Sequence, residues 1–166
     1  MAHRWMNFLR GRWWLAGLPV VGILLCLRPL PTNPSSGPVL GGLHPPREVA
    51  TIFERSCVDC HTNYTRWPWY AHFAPVRWMI QRDVNRGRSI FNLSEWEQSS
   101  KGKRLGFMAS LASSAAAHRM PPRQYTLLHP YSLLSPADRI ALGSWAKAEY
   151  RRIRKEPAAS EVTQAR

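Results

Sequence analysis

The chain has 166 residues, 45% of them hydrophobic, enough for one packed domain and incompatible with wholesale disorder. Lys and Arg outnumber Asp and Glu by 23 to 10, a net charge of +13, and three cysteines are too few for a disulfide framework. The positive charge is spread along the chain without a long basic run or a nucleic-acid-binding signature, so the expected partner is an acidic protein or a membrane, not nucleic acid.

At the amino terminus, Arg4, Arg10 and Arg12 precede an apolar run over residues 13–27, and Arg28 closes it. A basic start followed by a short apolar stretch is the form of an export signal. As a helix the run would rise about 22 Å, less than the roughly 30 Å of a hydrocarbon core. It reads as a short uncleaved anchor, helped by snorkelling arginines and by Trp5, Trp13 and Trp14 at the interface. A cleaved signal is the alternative, although no A-x-A site follows the run. Arginines ahead of the run predict a cytoplasmic N-terminus in a bacterial inner membrane and a periplasmic remainder. Residues 1–28 form this segment, and residues 29–46, rich in Pro, Gly and Ser, read as an exposed linker.

Val49, Ile52 and Phe53 predict a short helix over residues 47–56. It leads into Cys57-Val58-Asp59-Cys60-His61, the C-x-x-C-H pattern of c-type haem attachment. Two thiols on one helical turn can form thioethers to a single haem, and His61 can then give an imidazole nitrogen to the iron. Such attachment takes place on the exported side of a membrane, so the motif and the N-terminus agree. A thioredoxin-type disulfide would need a βαβ context, and no alternating strand flanks the pair. A structural zinc would need about four ligands, and no second cysteine pair exists.

Residues 63–70 form a compact aromatic loop. Val76, Met79, Ile80 and Val84 predict a helix over residues 74–86 that Gly87 ends. A turn follows at residues 92–96, and residues 101–119 predict a further helix. A sixth iron ligand would come from this downstream region, where His72, Met79, Met108, His118, Met120 and His129 are the candidates. Met120 is preferred, because Met120-Pro121-Pro122 predicts a rigid extended loop able to present a thioether. Met79 and Met108 read as core filler in helices, and His118 and His129 are the rivals. Ser135-Pro136-Ala137-Asp138 is a helix start, and that helix runs through Ile140, Leu142, Trp145 and Ala146 to about Arg152. No stretch reads as a strand, so the fold class is all-α: a haem-binding domain over residues 47–152 and a basic tail over 153–166. Trp67, Trp69, Trp78, Tyr125 and Trp145 are expected to pack on the haem, with ordinary core as the alternative for Trp78 and Trp145. Arg66, Tyr70 and tryptophan N–H groups are candidate donors to its propionates.

Several stretches resemble the small bacterial haem-binding domain with one C-x-x-C-H motif, a cytochrome c-like module. They are Phe53-Glu54-Arg55-Ser56-Cys57-Val58-Asp59-Cys60-His61-Thr62-Asn63, Thr65-Arg66-Trp67-Pro68-Trp69-Tyr70, Ala74-Pro75-Val76, Phe91-Asn92, Ser94-Glu95-Trp96, Met120-Pro121-Pro122 with Tyr125, Leu127-Leu128-His129-Pro130, and Leu134-Ser135 with Trp145. The resemblance implies one covalent haem c on Cys57 and Cys60, His61 as proximal ligand and Met120 opposite. It implies no substrate or reaction. One departure lies at residues 101–119, often Glu-rich in such domains, where this chain has Lys101, Lys103 and Arg104. The leading expectation is a membrane-anchored electron-transfer protein that serves an acidic redox protein or a membrane complex. The alternatives are a haem-based sensor or peroxidase-like protein with a displaceable sixth ligand, and a haem-containing subunit of a larger complex.

Overall fold

The computed structural model describes residues 13–26, 33 and 38–157. The flanking arginines Arg4, Arg10, Arg12 and Arg28, residues 29–32 and 34–37 of the Pro-rich stretch and the end of the basic tail lie outside the described residues. The chain divides into two compact units, Met1–Thr32 with Arg66–Asp83, and Asn33–Thr65 with Val84–Arg166. All regular structure among the described residues is helical, in agreement with the expected all-α class.

In the first unit, helix α1 spans Trp13–Cys26 and carries Pro19 in its interior. Leu18, Val20, Val21 and Ile23 are exposed on it. Its fourteen residues rise only about 21 Å. Among the described residues no helix is long and apolar enough to cross a membrane. The expected aromatic loop closes in a 3-10 turn at Trp69–His72, where Trp69 meets Tyr70 and Phe73 edge-on at 5.7 and 6.2 Å.

The second unit holds helix α2 at Arg47–Ser56 and the one-turn helix α3 at Val58–His61. Helix α4, Val76–Ile90, begins in the first unit and ends in the second. A 3-10 turn at Leu93–Glu95 precedes α5, Lys101–Ala116. Short α6, Arg123–Leu128, and a 3-10 turn at Pro130–Ser132 lead into α7, Pro136–Lys155.

The apolar face foreseen for α2 is buried: Val49, Ile52 and Phe53 join Phe91, Leu93, Trp96, Met108, Leu142, Ala146 and Ile153 in one core. Trp145 packs edge-on to Phe53 at 5.5 Å, and Phe107 stacks on Phe91 at 4.2 Å. Met108 fills the core as expected, with no exposed surface. Met79 does not: it is 45% exposed, and Trp78 beside it 58%. Both lie in the first-unit half of α4, whose outer side they occupy.

Three boundaries differ from the sequence pattern. Helix α4 does not stop at Gly87 but runs on to Ile90. Helix α5 ends at Ala116 instead of residue 119, because His118 takes a left-handed conformation (φ 55°). The Arg119 amide then bonds back to the Ser114 carbonyl at 3.1 Å and the His118 amide to Ala115 at 3.4 Å, a Schellman closure. The end of the Pro-rich stretch is not an exposed linker either. Leu43 is buried in the core, and the Glu97 amide bonds to the Gly41 carbonyl at 3.1 Å. Gly41 (φ 52°) sits so close to the Leu93 and Ser94 carbonyls that no side chain fits.

Helix α7 begins as its sequence prescribes. Ser135 Oγ accepts from the Asp138 amide at 3.1 Å, and Asp138 Oδ2 accepts from the Ser135 amide at 2.7 Å, a complete capping box. Arg55 from α2 pairs with the same carboxylate at 2.5 Å. Burial pushes the Asp138 carboxyl upward, but the Ser135 bonds and Arg55 outweigh it and hold the group below its ordinary 3.8. A carboxylate with a depressed pKa stabilises the fold above its ordinary value, and that contribution disappears as pH falls through the folded value. Ser135→Ala is expected to cost about 1 kcal/mol in denaturant unfolding at neutral pH. Asp138→Asn is expected to destabilise at neutral pH and to flatten the loss of stability below about pH 4.

Candidate functional site

Cys57 joins α2 to α3, and Cys60 and His61 end the single turn of α3. Cys57 ends α2, its amide bonding to the Phe53 carbonyl at 2.9 Å, and its own carbonyl accepts from the amides of Cys60 and His61 at 3.2 and 3.0 Å. Neither thiol is in a disulfide, and both are half-buried. Burial, with the neighbouring Cys60 thiol, pushes Cys57 up to about 12 against a smaller opposing pull from Arg55. The Cys57 thiol is therefore protonated at neutral pH, unlike a low-pKa redox thiolate.

His61 is fixed from the opposite side. Its Nδ1 lies 3.1 Å from the Phe91 carbonyl, and a carbonyl can only accept, so Nδ1 carries the proton and Nε2 keeps its lone pair. Burial lowers the His61 pKa, opposed by the backbone bonds to Phe91 and Gly87, and leaves the imidazole neutral. A neutral ring anchored at one nitrogen and open at the other is the form a metal ligand takes. Among the described residues no group of three or more His, Cys, Asp or Glu side chains could hold a metal ion by itself. The donor set is one imidazole beside two thiols, which fits a haem held through its periphery and one axial nitrogen.

Gly87 explains how the Phe91 carbonyl comes within reach. A Cβ at Gly87 would collide with the Cys60 carbonyl and lie 3.1 Å from the Cys60 Cβ. The glycine lets the last turn of α4 pass directly over the motif, and the Phe91 amide bonds back to the Gly87 carbonyl at 3.0 Å. Glycine serves here as a close-approach residue, not a helix stop.

The loop after His61 is held by side chains that the sequence pattern did not single out. Arg88 donates from Nε to the Thr62 carbonyl at 2.8 Å and from Nη2 to Thr65 Oγ1 at 3.0 Å. Thr62 Oγ1 donates to the Val58 carbonyl at 2.8 Å, and Thr65 Oγ1 to the Asp59 carbonyl at 2.7 Å. Asn92 Nδ2 donates to Asn63 Oδ1 at 2.7 Å, and Ser94 Oγ accepts from the Asn63 amide at 3.0 Å. Asp59, inside the motif and buried, accepts from the Tyr125 hydroxyl at 2.7 Å. Burial and the adjacent Asp59 carboxylate both raise the Tyr125 pKa, so the phenol keeps its proton.

Of the other candidates, Met120 is 39% exposed in the second unit, and its bond to Pro121 is cis. His118 is exposed. The His129 ring stacks on Tyr125 at 4.4 Å, and its Nδ1 lies 3.2 Å from the Tyr125 carbonyl. Met108 has no exposed surface and cannot reach an axial position without leaving the core. His72 and Met79 lie in the first unit, as do Arg66, Trp67, Trp69 and Tyr70. Trp67 buries its Nε1 without a hydrogen-bond partner among the described residues, and Trp69 is 75% exposed.

A family model described as a haem-binding domain matches residues 21–148. No curated protein and no solved structure matches the chain.

In a solvent-facing helix, Gly→Ala ordinarily stabilises by roughly 0.5–1 kcal/mol. Gly87→Ala is expected to do the reverse, costing about 1–3 kcal/mol through overpacking against Cys60. It should also lower the haem bound per chain, because displacing α4 withdraws the Phe91 carbonyl from His61. Thermal unfolding and haem content per chain check both effects.

Proposed function

The chain belongs to the haem-binding domain family, and on that premise we propose that it is a mono-haem c-type cytochrome that carries electrons. The observation that supports this reading most strongly is the pairing of two thiols outside any disulfide with an imidazole whose proton is committed to the Phe91 carbonyl. Cys57 and Cys60 would hold one haem by thioethers, and His61 Nε2 would bind its iron. The haem, when bound, supplies the ferric/ferrous couple. The chain's residues fix the ring of His61, keep it neutral and limit the access of water to it.

Met120 is the sixth ligand in this reading. Its sulfur is on an exposed turn of the same unit, whereas Met108 is committed to the core and His129 to Tyr125. A thioether opposite the imidazole raises the potential and closes the iron to exogenous ligands, which favours electron transfer over sensing or peroxidase chemistry. The propionate and ring-packing roles of Arg66, Trp67, Trp69 and Tyr70 go with this reading. So does membrane attachment: the arginines before α1 favour a cytoplasmic start and a periplasmic haem domain, and a net charge of +13 suits an acidic redox partner or membrane complex.

Covalent haem survives denaturing electrophoresis, so haem staining of the wild-type chain is expected to be positive and that of Cys57→Ala/Cys60→Ala negative. Stain retained by the double variant would refute covalent attachment at this motif. Met120→Ala is expected to abolish the weak far-red charge-transfer band of ferric methionine-ligated haem. High-spin ferric iron with fast CO binding already in the wild type would move the assignment to a sensor or catalyst.

A further inference from the structure

The segment that carries Met120 is fastened to the haem motif at two buried points. Tyr125 donates its hydroxyl to Asp59 Oδ2 at 2.7 Å, and Ser56 Oγ donates to the Ser132 carbonyl at 2.9 Å. Asp59 lies within the motif and Ser56 immediately precedes it, so one point holds the motif itself and the other the residue that leads into it. Asp59 is 8% exposed and Ser132 fully buried.

Between the two points the chain is stiffened by its own contacts. The Tyr125 and His129 rings stack at 4.4 Å with 27° between their planes, and Ser132 Oγ donates to the His129 carbonyl at 2.7 Å. On the other side of Met120, the Schellman closure at His118 fixes where the segment leaves α5. Residues 118–132 thus form a strap with one end on α5, one anchor point on the motif at Asp59 and one at Ser56 just before it.

A thioether on an exposed turn does not face one coordination position unless the turn is registered to the residues that hold the other face of the haem. Small errors of position are costly for a ligand set, and supporting hydrogen bonds remove them. Neither Tyr125 nor Asp59 has a place among the expected haem ligands, yet their bond is the shortest link between the two ligand-bearing segments among those given above.

We propose that the Tyr125–Asp59 hydrogen bond, backed by Ser56–Ser132, is a latch that registers Met120 to the haem motif, making Tyr125 and Asp59 positioning residues for the sixth ligand. The inference rests on the assignment of Met120 to the iron.

The test uses holoprotein of the full chain in three variants: Tyr125→Phe, Met120→Ala and Leu127→Ala. Two readouts are compared, the ferric far-red band and the rate of CO binding to ferrous protein. Loss of a hydrogen bond to a charged acceptor is expected to shift the ratio of methionine-bound to open haem about tenfold or more. Tyr125→Phe should therefore weaken the band and speed CO binding by about that factor. Leu127, in the same short helix and 82% exposed, should leave both readouts unchanged when truncated. Wild-type behaviour of Tyr125→Phe, with the band lost in Met120→Ala, overturns the latch and leaves the ligand assignment standing. An unchanged Met120→Ala spectrum overturns both. Equal effects of Leu127→Ala and Tyr125→Phe also overturn the latch, because they indicate general loosening of the strap. Should Tyr125→Phe fail to accumulate with haem, Asp59→Asn takes its place with the same expectations.

Discussion

The hydrogen bond from His61 Nδ1 to the Phe91 carbonyl is the constraint on which the site depends. It assigns the proton of the ring, leaves the lone pair on the other nitrogen and makes burial of a neutral imidazole inexpensive. That bond exists only because α4 continues past Gly87 and approaches the Cys60 carbonyl more closely than any side chain permits. A single missing Cβ thus sets the height of one helix over the motif, and the helix end sets the state of the imidazole. The loop that follows His61 is then clamped by Arg88, from the same stretch of helix. Residues 87, 88 and 91 act together as the proximal support.

The sequence made the motif and most helices legible because their signals are local. The apolar spacing of Val49, Ile52 and Phe53 and the Ser135/Asp138 capping box depend only on residues within a turn or two, and both appear where the pattern put them. What failed depended on distant partners. Gly87 looked like a helix stop, because a glycine required by a neighbouring chain cannot be told from one required by its own φ. Leu43 looked like part of a linker, since its Pro/Gly surroundings signal loop and its burial depends on core residues far along the chain. Met79 looked like core by periodicity but is exposed, because spacing marks a helix face without saying whether anything covers it. The pairing of Asp59 with Tyr125 spans 66 residues and leaves no trace in local pattern.

The charge of the chain is used in two different ways. Some of it is structural: Arg55 pairs with Asp138, Arg104 with Glu156 at 2.9 Å, and Arg152 with Glu149 and Glu156 at 2.6 and 3.0 Å. Arg104 ties the end of α7 to α5 and Arg55 its start to α2, while the Arg152 pairs run along α7 itself, each with a modest energy at a solvent-exposed surface. These pairs hold Asp138, Glu149 and Glu156, three of the ten acids, and arginines and lysines exceed the acids by thirteen. The excess is consequently free to act at long range, on the rate of encounter with a negatively charged surface and not on the stability of the fold.

The placement of the core bears on how a haem could be accommodated. A domain of about 100 residues with short helices would be expected to lean on its cofactor for apolar burial. Here the core is drawn from α2, α5, α7 and the segment Phe91–Trp96, and of the motif itself only Cys57 packs against it, in part. The tryptophan content is divided accordingly: Trp96 and Trp145 belong to that core, whereas Trp69 and Trp78 are exposed in the first unit. The motif is therefore carried on the margin of a scaffold that has its own interior. Its geometry is set by backbone approach and hydrogen bonds, to Phe91, Thr62, Thr65 and Tyr125, more than by hydrophobic burial. Polar registration of this kind fixes direction as well as distance, which an axial ligand requires and apolar packing alone does not provide.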